Sequence, residues 1–580
     1  MALLSSTALV LAVPTTAWST ERTDGPMTPG QAGQPPASTK EISQNTVARF
    51  DIPAQPVGSA LDAFIQASGW QVGYPADLAL GRTSPGVTGT MTPDAALVRL
   101  LAGTGLEYRM TGEKTVALAV AQGGAMRLGP ITIEGAGGTT AAAYDPIAGD
   151  KADYASTLTR TSVPIRETPN SIGVVTKDAI TASGALNLPQ MAERIAGVTY
   201  GASGAAGNLD YVSIRGFGVA GQNDFFGIAE NGLRGSTFHQ TDPAMLERVE
   251  IIKGPTSIIG GAVEPGGFVN RTVKTPLDEN FTEATLQSGT FDLWRAAADA
   301  NMTIGKSGAA VRLVALAHTG GEFVDDTDRD RYSLLPSIKF DIGDDTTITT
   351  FLNLQHEKGR EYMGFPVYAN GDVPDIPVDR FFGGTGGGYE RDHAGMHVDG
   401  VHKFLDGLKL NAKAALGYSD YESRNIYAYA SNGLPASGSV SVLRHGRRDT
   451  DLVMSGEMSL TYDFSFNGQK QSVVAGLDVI RAQRRGLFRY QTAGTDNIFN
   501  PTNNFSVSDD FDYHASPFQN IRGVLFQKAV FGQAVLHPVE RVTFMVGGRY
   551  DWAEQKLDNF KTPSNSSSGE VEDFTGRVGV

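Results

Sequence analysis

The feature that most constrains this chain is a long series of alternating apolar and polar residues after Leu277. In the run Leu408–Tyr418, leucine, alanine or tyrosine occupies every second position, with lysine or asparagine between several of them. Similar runs cover Leu460–Phe466 and Val542–Tyr550. Alternation indicates strands with one apolar face. Strands of about ten residues with aromatic ends are typical of a transmembrane β-barrel, so we predict a mainly β chain of this kind.

The connections between these runs are alternately short and long. Short turns are predicted near Lys306, Asp344, Asp406, Asn467 and Pro538. Long loops are predicted at Thr319–Arg331, Glu357–Gly400, Asp420–Thr450, Leu487–Gly523 and Ala553–Glu570. A membrane barrel has short turns on one side and long loops on the other. We therefore expect about twelve antiparallel strands in residues 277–580, and a soluble β-sandwich is disfavoured because it would expose the apolar faces.

Composition excludes several classes of protein. The net charge of −15 argues against nucleic acid as a partner. The absence of cysteine excludes disulfides, thiolate metal sites and cysteine nucleophiles. No apolar stretch of about 20 residues follows the N-terminus, so transmembrane helices are not expected.

The N-terminal part contains two linkers and one small domain. Residues 1–19 are predicted to be a signal peptide, although no Lys or Arg precedes its apolar core, so the true start is expected upstream. Residues 20–48 and 122–155 are rich in small residues and are predicted to be linkers. Residues 49–121 are predicted to form a βαβ domain, with Thr92 capping a helix that buries Leu97 and Leu100.

A conspicuous stretch of turns and strands precedes the barrel region. Leu246–Pro276 reads LERVEIIKGPTSIIGGAVEPGGFVNRTVKTP. Its first strand is broken by Gly254 and Pro255, and a second β-rich run, Phe268–Val273, follows further glycine turns. This pattern predicts two paired strands.

The same stretch carries a family resemblance. Glu247–Pro255 followed by Pro265–Asn270 closely resembles the end of the plug domain of TonB-dependent outer-membrane receptors. With Ser213–Phe217 upstream, the chain looks most like the ferric-siderophore branch. The resemblance implies an α+β plug in residues 156–276 inside a barrel of about twenty-two strands. Residues 277–580 would then be a partial barrel, and the chain a C-terminally incomplete receptor.

The N-terminal domain carries a second resemblance. Phe50–Pro56 and Leu100–Leu106 resemble the secretin and TonB short N-terminal domain. This implies a periplasmic signalling domain that contacts an anti-sigma regulator. Within the second linker, Ile131–Glu134 (Ile131, Thr132, Ile133 and Glu134) resembles a TonB box. Such a peptide would add as a strand to TonB of the TonB–ExbB–ExbD complex.

The resemblance implies a receptor in the outer membrane of a Gram-negative cell, surrounded by lipid, that imports a ferric siderophore. Ferric iron would be carried only as the chelate, without a resident cofactor. Gly221, Gln222 and Phe238 match ligand contacts at the plug apex, although the family's tyrosine is Phe238 here and a hydroxyl contact is lost. Aromatic and cationic residues of the outer loops suit an anionic chelate, and those expected to contact it are Tyr362, Tyr368, Tyr389, Arg391 and Tyr427. For each tyrosine, a place in an interfacial aromatic belt is the alternative.

Two plug arginines have a separate predicted role. Arg215 and Arg248 match family arginines that face glutamates on the barrel wall, which would latch the plug to the barrel. Ion pairs within the plug are the alternative for both, since a buried arginine needs a partner.

Other functions remain open at this stage. The cargo could be haem or cobalamin, or the chain could act mainly as a surface-signalling transducer. No catalytic cluster occurs, so an enzyme is not expected. His393, His397 and His402 have spacing that would converge only on a helix, and a solvated loop rather than a metal site is predicted for them.

Overall fold

The computed structural model describes residues 48–73, 82–112, 115–120, 146–155, 159–161, 163–200, 210, 212–218, 227–236, 238–261, 263, 265–305, 308–360, 362–507, 518–539 and 541–580. The chain divides into two compact units, Met1–Glu134 and Gly135–Val580.

The first unit is a small α/β fold. Its elements in order are β1 (Ala48–Ile52), β2 (Gln55–Pro56), α1 (Val57–Ser68), β3 (Gln71–Gly73), β4 (Thr83–Ser84), β5 (Val87–Met91), α2 (Pro93–Leu101), β6 (Leu106–Gly112) and β7 (Thr115–Val120). β3 and β7 are parallel, and β7 pairs antiparallel with β6. The Thr92 side chain accepts a hydrogen bond from the Ala95 amide, as predicted for the start of α2. The helices bury Phe64 and Leu97 in one core.

The second unit begins with a compact α+β region. Its elements are β8 (Ser171–Thr176), α3 (Lys177–Ser183), α4 (Leu188–Ala192), β9 (Val198–Tyr200), β10 (Val212–Ile214), β11 (Phe217–Gly218), β12 (Ile228–Glu230), β13 (Leu233–Arg234), β14 (Leu246–Lys253), α5 (Ser257–Gly260) and β15 (Gly267–Val273). One sheet has the order β13-β12-β15-β14-β8. The predicted pair of strands is present as β14 and β15, which are antiparallel.

The remainder is a twelve-stranded antiparallel sheet in which each strand pairs with the next. Its strands are β16 (Phe281–Gly289), β17 (Leu293–Ile304), β18 (Ala309–Gly321), β19 (Asp328–Ile342), β20 (Thr346–Arg360), β21 (Gly388–Leu405), β22 (Leu408–Tyr429), β23 (Ser439–Phe466), β24 (Gln469–Asn497), β25 (Gln519–Val539), β26 (Val542–Asn559) and β27 (Ser567–Gly579). The predicted fold class and strand number are therefore confirmed.

The two faces of this sheet follow the predicted alternation. In β22, Leu416 and Tyr418 are 44% and 43% exposed on the outer face, whereas Ser419 and Tyr421 are buried. The inward residues pack against the α+β region, which is why polar side chains are buried and leucines are exposed. Among the described residues, no helix is both long and apolar enough to cross a membrane.

The outer ends of the strands correct the predicted loop limits. Residues 388–400 and 420–429 were expected in loops but lie in β21 and β22, and β23 reaches 28 residues. Antiparallel pairing continues beyond the apolar band because backbone hydrogen bonds need no hydrophobic alternation. His393 and His397 consequently lie on the inner face of β21 and are buried, so the predicted solvated loop is wrong for them.

Candidate ligand site and plug contacts

The structure places the predicted ligand residues in different surroundings. Gly221 and Gln222 lie outside the described residues, as does Ile131–Glu134. Phe238 is described and is buried between the α+β region and the barrel wall. Tyr389, Arg391 and Tyr427 lie on strands rather than in loops, which corrects the prediction that they are loop residues.

Phe238 is the centre of an aromatic and cationic cluster. It packs with Tyr389 of β21 and Tyr421 of β22. The Arg484 guanidinium lies 4.1 Å from the centroid of the Phe238 ring, and that of Arg447 lies 6.0 Å away. At these distances the guanidinium groups are attracted to the π face of the ring. The expected aromatic contact of the plug apex is therefore covered by two arginines of the wall.

Arg391 joins the same cluster from β21. Its guanidinium lies 5.5 Å from the Tyr389 ring and 5.1 Å from the Tyr421 ring. Its Nη1 is 3.5 Å from Glu357 Oε1. The Tyr389 hydroxyl donates to the same Glu357 atom at 2.9 Å. The structure thus brings Phe238, Tyr389 and Arg391 together, and we call them, with Tyr421, Arg447 and Arg484, the Phe238 cluster.

The other predicted tyrosines make their contacts elsewhere. Tyr362 packs near Phe365 and Phe381, and burial raises the pKa of its hydroxyl to about 12. Tyr368 packs on an apolar cluster of the outer loops.

Tyr427 belongs to a second aromatic group. Its ring is 6.2 Å from His445 and 5.9 Å from Tyr490, and the His445 ring is 4.7 Å from Phe488. Neither ring nitrogen of His445 has a hydrogen-bond partner among the described residues. Three members of this group, His445, Phe488 and Tyr490, were not predicted from the sequence, although inward positions of the long strands could have indicated them.

The two predicted latch arginines lie in different surroundings. The Arg248 Nε donates to Glu250 Oε1 at 2.7 Å, an ion pair within β14 and so within the plug. Arg215 is exposed, has a positive φ of 53° and makes no ion pair within the described part of the chain. The ion pair between Arg248 and Glu250 agrees with the alternative that was predicted for this arginine, an ion pair within the plug.

Other residues provide buried charged contacts with the wall. Asp242 is 0% exposed and accepts two hydrogen bonds from Arg295 of β17, at 2.8 and 2.5 Å. Arg331 of β19 donates to the same carboxylate at 3.1 Å. Burial by itself would raise the pKa of Asp242, but the hydrogen bonds and charge of Arg295, with the charge of Arg331, lower it to about 2. Further along the sheet, the half-buried Arg160 donates to Glu457 of β23 at 2.8 Å.

Neither Asp242 nor Arg160 was predicted as a plug contact. Asp242 lies four residues before Leu246, just outside the motif that carried the resemblance. Its position directly before Pro243, where its side chain accepts from the Ala244 amide, is the only local signal. The pairing itself depends on strands more than 50 residues away in sequence and is not visible locally.

One group of described side chains could reach a metal ion. His356, Glu390 and Asp392 lie on the outer face of β20 and β21, and His356 Nδ1 is 2.9 Å from Asp392 Oδ1. This group faces away from the plug. It is therefore not part of the Phe238 cluster.

Comparisons with known proteins agree with this architecture. A model described as TonB-dependent receptor plug domain matches residues 164–268, and a TonB-dependent receptor-like β-barrel model matches residues 333–580. The secretin and TonB N-terminus short domain matches residues 70–121.

Curated relatives share about a quarter of the residues. The ferrichrome outer membrane transporter/phage receptor of Escherichia coli is 26% identical over 78% of this chain and 64% of its own length. The ferripyoverdine receptor of Pseudomonas aeruginosa is 25% identical over 91% of this chain and 65% of its length. The chain thus spans just under two thirds of these relatives. A crystal structure of the latter receptor bound to ferripyoverdine aligns with a TM-score of 0.63 at 21% identity, covering 92% of this chain and 68% of that one.

The fold and these matches define an outer-membrane protein in which a plug domain packs on the inner face of a β-barrel wall. The chain carries the plug, β-barrel and short N-terminal domains that characterise TonB-dependent receptors. Relatives in this family are transporters and receptors.

Proposed function

We propose that the protein binds a ferric siderophore from outside the cell and imports it into the periplasm. The observation that carries this proposal is the Phe238 cluster, in which Arg391, Arg447 and Arg484 stand beside three aromatic rings. Guanidinium groups beside aromatic faces suit a chelate that combines negative charge with flat catechol or chromophore rings. The relatives, which include ferrichrome, ferrioxamine and pyoverdine receptors, support the same class of cargo.

The transport step is proposed to need no covalent chemistry. Iron is cargo held by the siderophore, and the protein is a carrier without a resident cofactor or catalytic group. TonB of the TonB–ExbB–ExbD complex would take Ile131–Glu134 as an added strand and displace the plug, residues 156–276, within the barrel, residues 277–580. Gly221 and Gln222 would complete the chelate site at the plug apex, and Tyr362, Tyr368 and Tyr427 would contact the chelate as it enters.

A binding panel tests the cargo. Ferrichrome, ferrioxamine B, ferripyoverdine, haemin and cobalamin are titrated against the purified protein by quenching of tryptophan fluorescence. We expect saturable binding of at least one ferric siderophore and weaker binding of its iron-free form. Exclusive binding of haemin or cobalamin would contradict the siderophore assignment.

Uptake of radioactive iron by cells tests the transport step. We expect energy-dependent uptake that is lost when Ile131 and Ile133 are both replaced by proline, because proline cannot donate to an added strand. The matched control replaces Thr132 and Gly135 by alanine, which keeps the backbone amides. Uptake that survives the proline pair would overturn the TonB-box assignment.

A signalling role for residues 49–121 is a second proposal, supported by the match to the short N-terminal domain. The partner would be an anti-sigma regulator in the periplasm. Deletion of residues 49–121 is expected to abolish siderophore-induced transcription and to leave iron uptake intact. Loss of uptake in the deletion would contradict this division of roles.

A further inference from the structure

Among the charged contacts between the described residues of the plug and the wall, two differ in what surrounds them. At the first, Asp242 is held by Arg295 of β17 and Arg331 of β19. At the second, Arg160 is held by Glu457 of β23, with its guanidinium 4.5 Å from the Phe531 ring. The first contact places a carboxylate on the plug, and the second places an arginine there.

The Asp242 contact is continuous with the Phe238 cluster. Arg331, which donates to Asp242, also donates through Nε to Glu357 Oε2 at 2.5 Å. The other Glu357 oxygen accepts from the Tyr389 hydroxyl at 2.9 Å and lies 3.5 Å from Arg391 Nη1. Two buried groups, Arg331 and Glu357, therefore connect the plug carboxylate to Tyr389, which packs against Phe238, and to Arg391.

The Arg331 guanidinium also contacts other parts of the plug. Arg331 donates to the Gln240 side chain, and its Nη1 is 3.4 Å from the Leu186 carbonyl oxygen. Because Arg331 is buried, a change in one of its partners must be compensated by the others. By contrast, Arg160 and Glu457 have no recorded hydrogen bond or ion pair with the Phe238 cluster among the described residues.

We propose that Asp242 is a positioning residue that couples the Phe238 cluster to the attachment of the plug. Through Arg331, it orients Glu357, which fixes Tyr389 and Arg391. By thermodynamic reciprocity, a ligand that moves Tyr389 or Arg391 changes the hold of Arg331 on Asp242. The Arg160–Glu457 contact is a second attachment that does not respond to the ligand. The coupling rests on the proposed function, whereas the attachment of the plug by Asp242 does not.

The test compares Asp242→Asn with Glu457→Gln, two changes that each remove one carboxylate charge and keep the side-chain shape. The first readout is the affinity for the siderophore that binds the unaltered protein in the panel above. Couplings of this kind correspond to about 5- to 150-fold in affinity. We expect a loss in that range for Asp242→Asn and less than about twofold for Glu457→Gln, since the latter contact lies apart from Tyr389 and Arg391.

The second readout is the distance between plug and wall, measured by pulsed electron paramagnetic resonance. The chain has no native cysteine, so nitroxide labels can be placed on cysteines at Glu193 of the plug and Asp344 of the β19–β20 turn, both exposed. Without ligand, both variants should broaden the distance distribution. Added siderophore should change the distribution in the unaltered protein and in Glu457→Gln, but not in Asp242→Asn.

The outcomes separate the inference from the proposed function. Equal affinity losses in the two variants, or none in Asp242→Asn, would overturn the coupling. An unchanged distance distribution in ligand-free Asp242→Asn would overturn the attachment. If no siderophore binds the unaltered protein, the proposed function is wrong and the coupling falls with it, while the ligand-free distances still decide the attachment. Should Asp242→Asn fail to fold, Arg295→Lys replaces it, because lysine keeps the charge but loses the two-pronged hydrogen bond.

Discussion

The outer and inner faces of the same barrel strands are stabilised in different ways. Within the apolar band of the outer face, each residue needs only to be apolar, as with Leu410 and Leu416 of β22. On the inner face, each charged residue needs a particular partner, as Glu357 needs Arg331 and Arg295 needs Asp242. Lipid therefore selects residues on the outer face by their hydrophobicity, whereas the plug selects residues on the inner face by their specific contacts. Substitutions on the two faces should therefore destabilise the protein for different reasons.

The largest effect is expected where one inner carboxylate serves several arginines. Glu357 is buried, pairs with Arg331 at 2.5 Å, and lies within 4.0 Å of both Arg329 and Arg391. Glu357→Gln leaves buried guanidinium charge uncompensated, which typically costs about 3–5 kcal/mol. The expected result is a lower unfolding temperature. It is measured by the heat-dependent mobility of the folded barrel in detergent gels.

The matched control for that change is Glu390→Gln. Glu390 is exposed on the outer face of β21, the strand that pairs with β20. Its unfolding temperature should stay within about a degree of the unaltered protein, because surface substitutions usually change stability by less than about 0.5 kcal/mol. Equal shifts in the two variants would contradict the difference between the faces.

The loss of stability caused by a charge introduced on the outer face should depend on its depth in the membrane. Ala414 is exposed in the middle of the apolar positions of β22, between Leu410 and Tyr418. Ala414→Arg is expected to lose about 2–4 kcal/mol of stability, as for arginine at the bilayer midplane. The control is Thr450→Arg. Thr450 faces outward on β23, opposite Asp420 and beyond the apolar run. This variant should lose about 0–1 kcal/mol of stability. Urea titrations of the protein folded in lipid vesicles measure both, and a depth-independent loss would contradict the assignment of the outer face.

The difference between the faces also explains what could be predicted from sequence. Alternation revealed the outward positions of β22 because lipid imposes one rule on all of them. The same pattern located the strands and most short turns. It could not reveal that Asp242 pairs with Arg295, because that choice depends on how the plug packs against β17. Nor could it place the outer strand ends, where Tyr389 and Arg391 continue the pairing without hydrophobic alternation.

Acid provides a test of the Asp242 contact. The pKa of Asp242 is lowered to about 2 from an ordinary value of 3.8, so the folded state favours the ionised carboxylate. This contribution is present above pH 3.8 and is lost as the pH falls through about 2. It amounts to about 2 kcal/mol, since one pKa unit corresponds to about 1.4 kcal/mol.

The measurement is the difference in unfolding free energy between the unaltered protein and Asp242→Asn as a function of pH. The difference should be constant from pH 5 to 8 and should shrink below about pH 4. Taking the difference removes the titration of carboxylates that share no ion-pair partner with Asp242; Glu357, which shares Arg331, is the exception. A difference that changes between pH 5 and 8 would mean that Asp242 is not held as an ionised group between the two arginines.

The smallest effect is expected for an ion pair on the outer face. Arg448 of β23 donates to Asp420 of β22 at 2.8 Å, and both side chains are partly exposed. Such pairs contribute about 0.2–1 kcal/mol, because water and salt screen the charges and ordering two side chains costs entropy. Asp420→Asn should therefore lower stability by that amount in dilute buffer and by almost nothing in 1 M salt. The buried Glu357→Gln variant should keep most of its loss in the same salt, since ions do not screen charges enclosed between plug and wall. If salt abolished both losses alike, the inner charges would be solvated, and their assignment as specific plug contacts would be wrong.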